Sequence, residues 1–160
     1  MRPLLASILV IVLAVPAMAA PAAPGFRVKL LDSRVTFDSR EEIGKHVVVV
    51  RFQASYCKPC GRESAGLSRL AERYRSRDVE LIALHVQDTA SDARRFIRTH
   101  RVAYRVALDP RLTIGNTFGF KGAPFTVVID KKGEIAARLE GESAVTRLPR
   151  ILDDVLKTTR

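Results

Sequence analysis

Cys57 and Cys60 are the only cysteines in the chain, set in Tyr56-Cys57-Lys58-Pro59-Cys60-Gly61. Two sulfurs at this spacing can form a redox couple, half of a zinc site or an inert cross-link. A cross-link closing so short a loop constrains little unfolded chain, because loop-closure entropy grows with loop length. Structural zinc takes four ligands, usually with a second close pair of Cys or His. His46, His85 and His100 stand singly. His85 at a strand end and His100 on the apolar side of a helix read as structural, so no metal site is expected. Redox chemistry is the primary expectation, and copper binding by the two thiols with a distant histidine is the alternative.

The flanking residues decide how such a couple would work. Val47-Val48-Val49-Val50 leads through Arg51 and Phe52 toward the cysteines. A continuous β-branched run suits a central strand covered on both sides. Leu67, Leu70, Ala71 and Tyr74 follow at helical spacing. Cys57 therefore falls where a buried strand turns into a helix. A helix N-terminus presents unpaired N–H groups and a partial positive charge, which favour thiolate over thiol. An ordinary thiol titrates near ~8.5; in this setting it falls to ~7 or below. Lys58 adds a cation, and Pro59 suits an early helical position. Cys57 is the expected exposed nucleophile and Cys60 the shielded resolving thiol. Geometry leaves the working direction, reducing or oxidising, open.

The remaining elements read as follows. Phe26 to Leu30 and Val35 to Phe37 form short strands about an Asp32-Ser33 turn. Glu80 to Val86 is the next strand, followed by a charged helix over Ser91 to Arg101 and an apolar stretch, Val106 to Leu108. Leu112 to Phe118 predicts one or two helical turns. Phe125 to Ile129 and Glu134 to Leu139 pair across Asp130-Lys131-Lys132-Gly133. Leu148, Ile151, Leu152 and Val155 share one face of a last helix. With Thr146 as its N-cap, Pro149 would take the third helical position, where a missing N–H does no harm. The interleaved order predicts an α/β sandwich.

Residues 1–19 read as a signal peptide. Arg2 is followed by an apolar run, Leu4 to Val15, then Pro16 and the small-x-small signature Ala17-Met18-Ala19. The run is short for a bilayer span, and an uncleaved anchor is the alternative. Residues 20–160 form the expected single domain, exported to the periplasm and monomeric, with no transmembrane segment once the leader is cleaved. With 47% hydrophobic and 28% charged residues the chain carries enough apolar material for a core. The formal charge of +10 admits nucleic acid, anionic membranes or acidic proteins as partners. Arg94, Arg95, Arg98 and Arg101 share a helix whose other side is apolar, which reads as a solvated basic surface; export argues against nucleic acid.

Cys-x-Pro-Cys after a strand, joined downstream by Gly122-Ala123-Pro124 and Val127-Val128-Ile129-Asp130, resembles the thioredoxin superfamily. The best match is the exported TlpA/ResA/DsbE-like branch, which includes cytochrome c maturation reductases. The resemblance covers nearly the whole chain after the leader. It implies a thioredoxin-like three-layer sandwich, a central mixed sheet flanked by helices, with a strand–helix insertion over roughly Asp88 to Asp109. Pro124 matches a cis proline that faces the dithiol and binds an extended substrate segment. Tyr56 and Ala123 are the other expected substrate-binding residues. Glu63, three residues after Cys60, matches an acid that assists proton transfer around the dithiol; a surface helix glutamate is the plainer reading.

Two departures stand out. Gln53 and Tyr56 occupy positions where the family commonly has tryptophan. Arg51 stands where thioredoxin carries a buried acid, and an arginine cannot accept a proton there. It can pair with Glu63, stabilise the Cys57 thiolate or reach solvent at the strand end. The resemblance implies a thiol–disulfide oxidoreductase that reduces disulfides in other exported proteins, with no cofactor beyond the Cys57–Cys60 couple and a membrane-embedded electron donor. A different local pattern around the reactive cysteine is expected of a peroxidase.

Overall fold

The structure, a computed structural model, describes residues 20–159. The leader expected over residues 1–19 lies outside the described residues. Strands β1 (Arg27–Lys29) and β2 (Thr36–Asp38) form an antiparallel hairpin. There follow β3 (Val47–Gln53), α1 (Lys58–Arg75), β4 (Val79–Val86), α2 (Ala90–His100) and β5 (Arg105–Asp109). The chain closes with α3 (Thr113–Thr117), β6 (Phe125–Ile129), β7 (Ile135–Glu140) and α4 (Ala144–Thr158).

The β-branched run does what its composition dictates. β3 is buried at every position and lies at the centre of a five-stranded sheet, order β5-β4-β3-β6-β7. It runs parallel to β4 and antiparallel to β6. Strand alternation divides its side chains between two cores. Val48, Val50 and Phe52 join Ile82, Leu84, Phe26, Phe37 and Phe118 on one face. Val47 and Val49 meet Leu67, Leu70 and Tyr74 of α1 and Leu148, Leu152 and Val155 of α4 on the other. The layers are thus unequal: α1 and α4 cover one face, and the β1–β2 hairpin with short α3 covers much of the other.

Parallel register brings the C-terminal ends of three strands together. Gln53 pairs with His85, Val86 with Asp109, and Phe52 with Phe125 at the start of β6. Everything that leaves β3 or enters β6 at that edge shares one neighbourhood.

One boundary differs in consequence. α4 begins at Ala144 with Ser143 as its N-cap, ahead of the expected Thr146, so Pro149 lies inside the helix. The Val145 carbonyl therefore has no N–H to receive from position 149. The early start has a tertiary cause: the Val145 N–H donates to a Glu63 carboxylate oxygen at 3.3 Å, so α1 supplies a cap that the local sequence lacks. Gly66 permits the approach, since a Cβ there would lie 2.7 Å from the methyls of Val145.

Candidate active site

After β3, Ala54 to Tyr56 carry the chain over the sheet edge to Cys57, the N-cap of α1. Its Sγ accepts from the Cys60 N–H at 3.2 Å. A helix tip thus spends one of its free donors on the sulfur. Pro59 sits in the first turn, where no N–H is required. The two sulfurs form a disulfide with Cα atoms 5.3 Å apart. Cys57 keeps 6% exposure and Cys60 none. Cys57 is the less buried of the two, but it is far more covered than the expected exposed position implies. Gly61 lies under His100: a Cβ would fall 2.5 Å from the imidazole Cε1, so a larger residue there would require the ring to move.

The Ala123–Pro124 peptide is cis. Pro124 precedes Phe125, the register partner of Phe52, which puts this peptide at the dithiol end of the sheet. Ala123 packs against the cluster that contains both cysteines. Tyr56 is 64% exposed, and its hydroxyl donates to Gln87 Oε1 at 3.2 Å. It is a surface ring on the rim rather than a buried cover.

Alternation along β3 turns Arg51 and Gln53 toward the helical layer, the same side as Val47 and Val49. Arg51 is fully buried. Its guanidinium donates to Glu63 at 2.6 Å and to Thr126 Oγ1 at 2.9 Å, and its Nε has no partner. Of the three roles open to Arg51, the ion pair is the one formed, and the solvent-reaching conformation is not. Glu63 is correspondingly buried, not a surface helix residue. Two charges out of water persist only with good geometry and further hydrogen bonds, which Thr126 and the α4 N-terminus provide.

A second buried polar chain was not foreseen. Asp88 accepts from the Ser55 N–H and hydroxyl, each at 2.7 Å, and bonds His85 Nδ1 at 2.7 Å. His85 Nε2 faces the Gln53 amide at 2.8 Å, and the Tyr104 hydroxyl donates to Gln53 Oε1 at 3.2 Å. Burial pushes the His85 pKa down, against the opposing pull of Asp88. The neutral ring then donates from Nδ1 to Asp88 and accepts at Nε2 from Gln53. This chain anchors Ser55, two residues before Cys57. The signal in the sequence was a glutamine and a histidine inside apolar strands, where a polar group must find partners. Among the described residues no group of three or more His, Cys, Asp or Glu side chains could hold a metal ion.

Comparison with known proteins agrees with this geometry. The AhpC/TSA family model matches residues 19–138. ResA, a thiol-disulfide oxidoreductase of Bacillus thuringiensis subsp. konkukian, is 29% identical over 133 residues, covering 83% of this chain and 76% of the relative. HelX, a thiol:disulfide interchange protein of Rhodobacter capsulatus, is 28% identical over 144 residues, 89% of this chain and 80% of its own. The crystal structure of a thioredoxin-family thiol:disulfide interchange protein from Chlorobium tepidum TLS superposes with TM-score 0.77 at 22% identity, covering 88% and 99% of the two chains. Fold and cysteine pair define a thiol–disulfide oxidoreductase of thioredoxin-like architecture. The chain belongs to the AhpC/TSA family.

Proposed function

We propose that the protein reduces disulfides of other exported proteins in the periplasm, with the disulfide formed by apocytochrome c thiols as the substrate class. The observation that carries this reading is the asymmetry of the couple: Cys57 caps the α1 tip with residual exposure, and Cys60 lies buried behind it. In the reduced protein the Cys57 thiolate attacks a substrate disulfide. One substrate sulfur leaves as thiolate, and a mixed disulfide forms. Cys60, losing its proton, attacks Cys57 Sγ, expels the second substrate thiolate and closes the disulfide seen here. Two electrons pass to the substrate, whose thiolates take up protons. A membrane-embedded dithiol donor restores the couple.

Glu63, one turn beyond Cys60, is the proposed proton-handling residue. Tyr56, Ala123 and Pro124 frame the proposed substrate strand on the rim. The leader-like residues 1–19 support export, and no helix among the described residues is long and apolar enough to cross a membrane.

The test is trapping. Cys60→Ser should accumulate mixed disulfides through Cys57 with exported thiol proteins, and Cys57→Ser should accumulate none. The reduction potential should lie well below the roughly −120 mV of a strong oxidant. Tight stoichiometric Cu(I) binding by reduced protein that lacks disulfide-reducing activity would overturn the reading in favour of a copper carrier.

A further inference from the structure

A concavity of about 850 Å³ opens between β1 and the C-terminal end of β5, away from the cysteines. Its origin is topological. Leu30 bridges Ala107 in antiparallel fashion, and the Leu31 N–H donates to the Val106 carbonyl at 2.8 Å. Beyond that bridge β1 pairs with β2, starting from Arg27 opposite Asp38, and so diverges from the edge of the main sheet. A wedge is left beside Leu108 to Arg111. The pairing of Leu30 and Leu31 with β5 closes the wedge at its inner end.

Cations line the wedge. Val28 points into the core, so Arg27 and Lys29 share the outward face of β1. Arg34 follows the turn, and Arg111 stands on the opposite wall. None of these four forms an ion pair among the described residues. The two acids at the wedge are already engaged: Asp32 pairs with Arg94 at 2.6 Å, and buried Asp109 accepts the Gly115 N–H at 2.7 Å. Leu30 and Leu108 supply apolar surface between the charges. The wedge also communicates with the dithiol rim. The Gln87 N–H donates to the Asp109 carbonyl at 3.4 Å, and Gln87 Oε1 accepts from Tyr56, the residue before Cys57.

We propose that this wedge binds an extended acidic segment of a protein partner, laid between β1 and the C-terminal end of β5. Four unneutralised cations around an apolar floor favour an anionic chain. Leu30 and Leu108 between the charges suit the apolar side chains of such a segment, which a lone phosphate lacks. The proposal deepens the reductase reading and rests on it only for the partner being a protein.

The probe is a fluorescein-labelled nonapeptide of alternating Val and Glu, followed by anisotropy on the full chain. A Val–Lys counterpart and phosphatidylglycerol vesicles serve as competing ligands. The Val–Glu peptide should bind, weaken as ionic strength rises, and bind roughly tenfold or more weakly to Arg27→Glu/Arg111→Glu. Lys29→Ala/Arg34→Ala should weaken it in the same direction, which keeps the test valid if the charge reversal misfolds. Both variants should reduce the small disulfide DTNB at the wild-type rate. Equal peptide binding by wild type and variants, no binding at all, or binding to vesicles but not to peptide overturns the proposal. Failure of the wild type to reduce DTNB would instead remove the reductase reading and leave the peptide result standing.

Discussion

Arg51 and Glu63 form the residue pair on which the site's packing depends. Neither charge reaches bulk water, so each is tolerable only while the other is present. Glu63→Gln leaves the guanidinium uncompensated and should cost about 3 kcal/mol in urea unfolding. Adding Arg51→Met removes the stranded charge, and the double variant should return to within about 1 kcal/mol of wild type. A double variant no more stable than Glu63→Gln would mean the pair is not the source of the loss. His85 makes a prediction of the opposite chemical kind. Its pKa is lowered by burial, so below the ordinary value of 6.5 the unfolded chain binds a proton that the folded chain refuses. That stability contribution is complete above pH 6.5 and declines as pH falls toward the lowered folded value. The slope approaches about 1.4 kcal/mol per pH unit. His85→Gln should remove this part of the acid sensitivity in stability measured against pH.

At the scale of elements, the contact between α1 and α4 decides where the site's second helix begins. Gly66 holds the helices close, and Val145 has no soft end to yield, its two methyls being fixed on Cβ. Gly66→Ala gains about 1 kcal/mol in helix propensity. The clash should exceed that gain, giving a net loss of about 1 kcal/mol and loosening the Val145 N–H bond to Glu63. Paired with Val145→Ala, the same substitution should become neutral or stabilising in thermal unfolding. A single variant already more stable than wild type would show that α4 shifts freely. The same contact explains the misplaced helix start. Thr146 is a good local N-cap, but the cap that operates comes from Glu63, 82 residues away in sequence.

For the molecule as a whole, the short loop closed by the disulfide predicts a fold that stands without it. Two apolar layers meet a fully buried central strand, and the cysteines sit at the margin of one layer. The loop they close is short, so chemical reduction should lower stability by no more than about 2 kcal/mol. Circular dichroism should show the same secondary structure before and after dithiothreitol. Loss of cooperative unfolding on reduction would contradict this, making the cross-link a structural one.

The family resemblance implied the cis Pro124; the cysteine pair at the strand-to-helix turn, the central strand and the hairpin across Asp130 to Gly133 were legible in the amino-acid sequence itself. These features are set by short-range rules: strand and helix periodicity, turn chemistry, and the company a Cys-x-Pro-Cys keeps. The destination of Arg51, the role of Glu63 as a helix cap, the chain from Tyr104 to Ser55 and the wedge beside β5 were not. Each depends on which face of one strand meets which turn of a distant helix. Parallel register determines that, and register is a property of the packed sheet rather than of any local window.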